Sequence, residues 1–261
     1  MALELFLDPL SQPCRALFIF AKKHQIPFQY RLVELIKGQH WQEAYGKVNP
    51  MRQVPVLKEG DFILTESVAI LLYLARKFKT PDHWYPSDLQ KRARVDEYLS
   101  WQHTAIRVHG CKVFLIQVYL PLFLGHPMPP EKLEEALKDL ERVLDLFEEK
   151  FLQDRPFIVG NEISLADLMA IVELMEVVCG GHDVFKGRPK MAAWRSRVED
   201  AIGKDLFLEA HKEMFSLEGL TTKHLPFPSP VESLEPLSRR TRIPSSSAGR
   251  RTKSPGAGGA G

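Results

Sequence analysis

A change of pattern at residues 80 to 88 constrains this chain more than any other feature. Before it, strand and helix signals alternate; after it, only helical signals follow. Leu3 to Leu7 is a short apolar run with one acid, and Pro13 to His24 carries a helical apolar stripe closed by Lys22, Lys23 and His24. Phe28 to Val33 returns to strand character, and the polar stretch from Lys37 to Asn49 reads as irregular. Val54 to Leu57 and Phe62 to Leu64 form an expected hairpin across Lys58-Glu59-Gly60-Asp61. Glu66 to Lys77 then reads as an amphipathic helix with a basic end. The break itself, TPDHWYPSD, holds Pro81 and Pro86 and reads as a linker.

Beyond the linker the expected helices run over Leu89 to about Leu120, Pro130 to Phe151, Ser164 to Val178, Arg188 to Ile202 and Leu206 to Phe215. Ser164-Leu165-Ala166-Asp167 is a capping box that opens the central helix of the set. The most apolar segment, Val113 to Leu124, is interrupted by Gln117 and Pro121 and falls short of the ~20 residues of a membrane span, so it reads as a buried helix. The expected organisation is an α/β domain at 1–79, a linker at 80–88, an all-helical domain at 89–220 and a Pro/Ser/Gly-rich basic tail at 221–261. From Pro226 to Gly261 half of the 36 residues are Pro, Gly or Ser, too little apolar material to offset the entropy of ordering, so the tail is expected to be largely disordered.

Charge sharpens this division. The chain carries +2 at pH 7, yet residues 239 to 261 hold six basic residues and no acid, which leaves 29 basic against 33 acidic residues in the body. That balance gives the body no reason to seek nucleic acid, and Lys91-Arg92-Ala93-Arg94 reads as a solvated helix face. Three widely spaced cysteines, Cys14, Cys111 and Cys179, cannot build a disulfide framework and suit a reducing compartment. The start of the chain has an acid inside its apolar run and no basic lead, unlike a secretory signal; a cytoplasmic location is expected. The nine histidines lack zinc-site spacing, and neither a P-loop nor a dinucleotide fingerprint occurs, so no metal and no permanently bound cofactor is expected.

The residues suited to chemistry lie where the first domain turns from strand to helix. Ser11-Gln12-Pro13-Cys14 follows the first strand, with Pro13 suited to a first helical turn, and this places the Ser11 hydroxyl beside a helix N-terminus that favours an anion. The alternative is that Ser11 is only an N-cap and Cys14 a small core residue. A two-thiol redox cycle is excluded, because a hydroxyl stands where the leading thiol would be. Glu66-Ser67 opens a second helix directly after a strand, and its bland reading is likewise capping. Two such helix starts in one small domain fit a ligand with two separated negative groups.

Taken together, LELFLDPLSQPCRALFIFAKKH, LIKGQH, VNPMRQVPVLKEGDFILTESVAILLYLARK, DHWYPSDLQKRARVDEYLSWQHTAIR and KFLQDRPFIVGNEISLADLMA resemble the theta-class glutathione transferases over about residues 1 to 220. The resemblance implies a thioredoxin-like N-terminal domain that binds glutathione, an all-helical C-terminal domain that supplies the second-substrate pocket, and a homodimer. It implies that Ser11 is the catalytic hydroxyl, that His40 contacts the glycyl end of glutathione, and that Gln53 and Val54 precede a cis-proline at Pro55. It further implies that the Val54 backbone pairs with the cysteinyl unit, that Glu66 and Ser67 hold the γ-glutamyl group, and that Arg107 is directed into the active site. Helical spacing from Arg107 then brings Thr104, Val108 and Cys111 to the same pocket; a surface or salt-bridged Arg107 is the plain alternative. The expected reaction is transfer of the glutathione thiolate to alkyl halides, sulfate esters, epoxides or peroxides, and the alternative is a non-catalytic binding or scaffold protein that keeps the fold. The family's usual C-terminal covering helix is interrupted here by Pro236 within Glu232 to Arg242, so a more open site is expected.

Overall fold

A computed structural model of the chain describes residues 2–218. The tail, its expected disorder and the covering helix therefore lie outside the described residues. The N-terminal part comprises β1 (Leu3–Leu7), α1 (Gln12–Lys23), β2 (Gln29–Leu32), α2 (Glu43–Val48), β3 (Val56–Glu59), β4 (Phe62–Leu64) and α3 (Ser67–Lys77). Its sheet has the order β2-β1-β3-β4: β1 pairs parallel with β2 across the α1 crossover, and β3 runs antiparallel to both β1 and β4. This is a thioredoxin-like domain. Leu3, Leu5 and Leu7 alternate into the core with the period of a strand, and the α1 stripe of Ala16, Leu17, Ile19 and Phe20 covers them. Lys58 and Glu59 belong to β3, so the hairpin turn is the two-residue Gly60-Asp61 rather than four residues. The stretch expected to be irregular contains α2, and before it a 3₁₀ turn at Gln39–Trp41.

Helices follow from residue 89 onward: α4 (Leu89–Gln102), α5 (Ile106–Phe114), α6 (Leu120–Leu124), α7 (Pro130–Leu146), α8 (Leu165–Cys179), α9 (Pro189–Ile202) and α10 (Lys204–Glu218). The single helix expected over Leu89 to Leu120 is broken at residues 103–105, and a π-helical turn at Leu115–Tyr119 follows α5. The segment expected to be a buried helix is only partly so: Val113, Phe114, Ile116 and Val118 are buried, whereas Phe123 and Leu124 are exposed. Leu89–Leu124 is, by length and composition, the one helical run among the described residues apolar enough to cross a membrane.

At the centre lies α8, fourteen of whose fifteen residues are buried. Its capping box is formed, with Asp167 accepting from the Ser164 N–H and hydroxyl (both 2.9 Å), the Ile158 N–H (2.8 Å) and the Trp194 indole N–H (2.9 Å). Four donors satisfy a fully buried carboxylate. Both α5 and α1 pack on α8. Gly110 permits the first contact, because a Cβ there would lie 3.2 Å from Val177 Cγ2. On the second, the buried Arg15 donates to the carbonyls of Pro9 (3.0 Å) and Val172 (3.2 Å). The thioredoxin-like domain is thus joined to the helical one by a buried cation as well as by apolar contact.

Candidate active site

The loop between β1 and α1 is set by one buried carboxylate. Asp8 accepts from the Leu10 N–H (2.8 Å) and the Leu35 N–H (2.7 Å), and its carbonyl accepts from the Ser11 N–H (3.0 Å). Burial raises the pKa of Asp8, and the two backbone donors pull against that rise. Ser11 is thereby held at the N-cap of α1 with extended backbone, its side chain making no capping hydrogen bond. The hydroxyl stands beside the helix N-terminus, uncommitted to it. Cys14 is buried in the core, and burial pushes its thiol up to about 12 against the opposing influence of Ser11. It is a protonated core residue, not a nucleophile.

Ser11 opens onto a cleft of about 390 Å³ that is also lined by His40, Gln53, Val54, Pro55, Glu66, Ser67 and Arg107. The structure therefore brings eight of the eleven sequence-selected residues together. The Val54–Pro55 peptide is cis, and the bend before it is held by the Gln53 carbonyl, which accepts from the Tyr45 hydroxyl (2.7 Å) and Asn49 Nδ2 (2.8 Å). Ser67 is the first residue of α3, and Glu66 precedes it in the left-handed region at φ +65°. His40 sits in the 3₁₀ turn, where burial lowers its pKa and favours the neutral ring. Arg107 enters from the first turn of α5, and both its Nε (2.9 Å) and Nη2 (2.5 Å) donate to Glu173 Oε1 of α8. It is at once salt-bridged and part of the cleft wall.

Thr104, Val108 and Cys111 do not line the cleft. The helix break at residues 103–105 takes Thr104 off the helix that carries Arg107, whereas Val108 and Cys111 share α5 with Arg107, Val108 as its sequence neighbour and so not on its face. Thr104 lies in the break and is exposed, as is Val108. Cys111 instead accepts from Gln12 Nε2 (3.0 Å) and donates to Glu176 Oε2 at 3.6 Å. The possible donor atoms of Cys111, Glu173 and Glu176 lie within 4.8 Å of one another, but Arg107 and Arg15 already place positive charge beside these carboxylates. Sequence reasoning missed Leu35, Trp41, Met51 and Arg52, all of which line the cleft. Trp41 and Met51 are exposed large apolar residues, and only their nearness in sequence to His40 and Gln53 marks them.

Residues 5–82 match the family model described as glutathione S-transferase, N-terminal domain, and residues 113–200 the one described as glutathione S-transferase, C-terminal domain. Glutathione S-transferase theta-1 of Bos taurus is 62% identical over 212 residues, which is 81% of this chain and 88% of the bovine one. The chain belongs to the theta-class glutathione transferases. Among solved theta-class structures, human glutathione-S-transferase T1-1 in its apo form superposes with a TM-score of 0.82 at 58% identity, covering 84% of this chain and 91% of that one. A human theta-class enzyme in complex with the glutathione conjugate of 1-menaphthyl sulfate superposes with a TM-score of 0.83 at 51% identity, covering 88% and 94%. The cleft of this theta-class chain lies along the sheet end where strands give way to α1 and α3, the side on which α/β folds bind ligands.

Proposed function

We propose that this transferase binds glutathione as co-substrate with its thiol at Ser11 and transfers the thiolate to small hydrophobic electrophiles: alkyl halides, sulfate esters, epoxides or peroxides. The observation that carries this reading is the position of Ser11, a buried N-cap that makes no capping bond and lines the cleft. A free thiol has a pKa of ~8.5, and lowering it by ~2 units means favouring the anion by ~2.7 kcal/mol. One hydrogen bond to a charged sulfur contributes ~1.5–3 kcal/mol, and the α1 terminus adds to it. Glu66 and Ser67 at the second helix start suit the ammonium and carboxylate of the γ-glutamyl group. The Val54 backbone, at the bend leading into β3, suits strand-like pairing with the cysteinyl unit. His40 and Gln53 suit the glycyl end.

On the electrophile side, Arg107 offers positive charge to a departing anion. Thr104 and Val108, exposed and within a turn of Arg107, suit an open second-substrate surface, whereas Cys111 is engaged with Gln12 and Glu176. The human relative solved with a glutathione conjugate of a sulfate-derived substrate supports sulfate esters in the panel. A reducing compartment, the cytosol, fits three cysteines none of which is disulfide-linked. A homodimer fits the exposed apolar edge at β4, where Phe62 and Ile63 face outward.

The test is turnover of a small electrophile panel by the Ser11→Ala variant. Loss of that hydrogen bond is expected to lower kcat by about 10- to 100-fold while glutathione binding survives. An unchanged rate would sink the serine role.

A further inference from the structure

Ser11 and Arg107 line one cleft from different parts of the chain, the serine at the start of α1 and the arginine in the first turn of α5. In a displacement at carbon the thiolate enters on one side and the leaving group departs on the other, so the groups that serve them must face each other across the electrophile. An error of ~1 Å in such an arrangement costs up to about 100-fold in rate. Glu173 references Arg107 to α8, not to Ser11. We infer that the hydrogen bond from Gln12 to Cys111 supplies the missing reference, which makes these two positioning residues that hold Arg107 opposite Ser11; the assignment rests on the leaving-group role given to Arg107 above.

The link is short at both ends. Gln12 follows Ser11 directly as the first residue of α1, and Cys111 lies one turn beyond Arg107 on the same face of α5. Gln12 Nε2 donates to Cys111 Sγ (3.0 Å), and the thiol donates in turn to Glu176 Oε2 (3.6 Å). Burial pushes the Cys111 thiol up, so it keeps the proton that it donates. Two further bonds close a ring through α8: Arg107 donates to Glu173, one turn before Glu176, and Arg15 of α1 donates to the Val172 carbonyl (3.2 Å). Between residues 172 and 176, α8 thus holds both helices that carry the reacting groups. Stability does not explain the pair. Gln12 is 7% exposed and spends its amide donor on sulfur, a weak acceptor, and replacing both partners by apolar groups of the same shape is nearly neutral for stability. What a directional bond adds over apolar contact is a fixed distance and angle.

Steady-state kinetics of the full chain with glutathione and an arylmethyl sulfate, run as double-mutant cycles against Arg107→Ala, test this. Gln12→Met keeps the side-chain length and removes the donor; it and Cys111→Ala are each expected to lower kcat by about three- to tenfold at an unchanged KM for glutathione. Neither is expected to slow Arg107→Ala any further, because a group that acts through Arg107 then has nothing left to place. Cys111→Ser keeps a donor and an acceptor and is expected to restore most of the rate. The thiol pKa of bound glutathione, read from the ultraviolet absorbance of the thiolate, is expected to stay at its wild-type value, since Ser11 itself is undisturbed. Equal slowing in both backgrounds, wild-type rates in Gln12→Met and Cys111→Ala, or a shifted thiol pKa overturns the assignment and leaves the transferase reading intact. A wild-type rate in Arg107→Ala overturns the leaving-group role, and this assignment with it.

Discussion

Arg107 and Glu173 show how one contact sets the size of an effect. Glu173 is 2% exposed, and burial raises its pKa while the arginine beside it pulls the other way. Two donors of Arg107 converge on one oxygen of this carboxylate, which fixes the guanidinium plane and offsets part of its charge. What remains for a leaving group is the Nη1 amino group. Arg107→Ala is therefore expected to slow turnover of a sulfate ester by about tenfold, the low end for a charged transition-state contact, without a comparable change in the KM for glutathione. Equal rates for variant and wild type would remove the leaving-group role. The residues legible from sequence were those beside a readable helix start or tied to the family pattern, such as Ser11, Glu66, Ser67 and Arg107. Arg52 and Trp41 were not, because their place in the cleft comes from a turn and a positive φ that no periodicity announces.

At the scale of elements, α8 is the hub, and its buried acids link stability to pH. Glu176 faces Arg15 from α1, Arg107 and Cys111 from α5, and Glu173 one turn away on α8 itself; burial dominates and pushes it up to about 8 from 4.5. Between those values the unfolded chain has released the proton and the folded chain has kept it, so this group costs stability as pH rises across the window. Glu176→Gln is expected to raise the thermal midpoint above wild type at pH 8 by about 2–4 °C and by less at pH 5, read by calorimetry. A difference independent of pH would show that this carboxyl does not titrate there. The start of α8 was legible, because a capping box followed by an apolar run is a local signal. The break between α4 and α5 was not: residues 103–105 hold neither proline nor glycine, so no local breaker announces it. The short α2 was missed because six residues with an internal glycine carry little helical signal.

For the molecule as a whole, the two-part architecture followed from where strand signals stop, whereas the apolar sheet edge needed the structure. Phe62 and Ile63 lie exposed on the edge strand β4, and the Phe62 ring contacts Tyr73 of α3 at 5.3 Å between centroids. An apolar sheet edge of this kind is a natural seat for a second copy. Sedimentation equilibrium is expected to find a dimer, and Phe62→Glu with Ile63→Glu is expected to weaken it at least tenfold; an unaltered dimer would move the interface elsewhere. Arg15 has a different consequence, one that concerns synthesis. Its acceptor at Val172 lies 157 residues downstream. At ~5–20 residues per second, roughly 8–30 s separate the two on the ribosome. Throughout that interval the nascent thioredoxin-like domain carries a guanidinium without its final acceptor. Burial of Arg15 against α8 waits for translation to pass that helix.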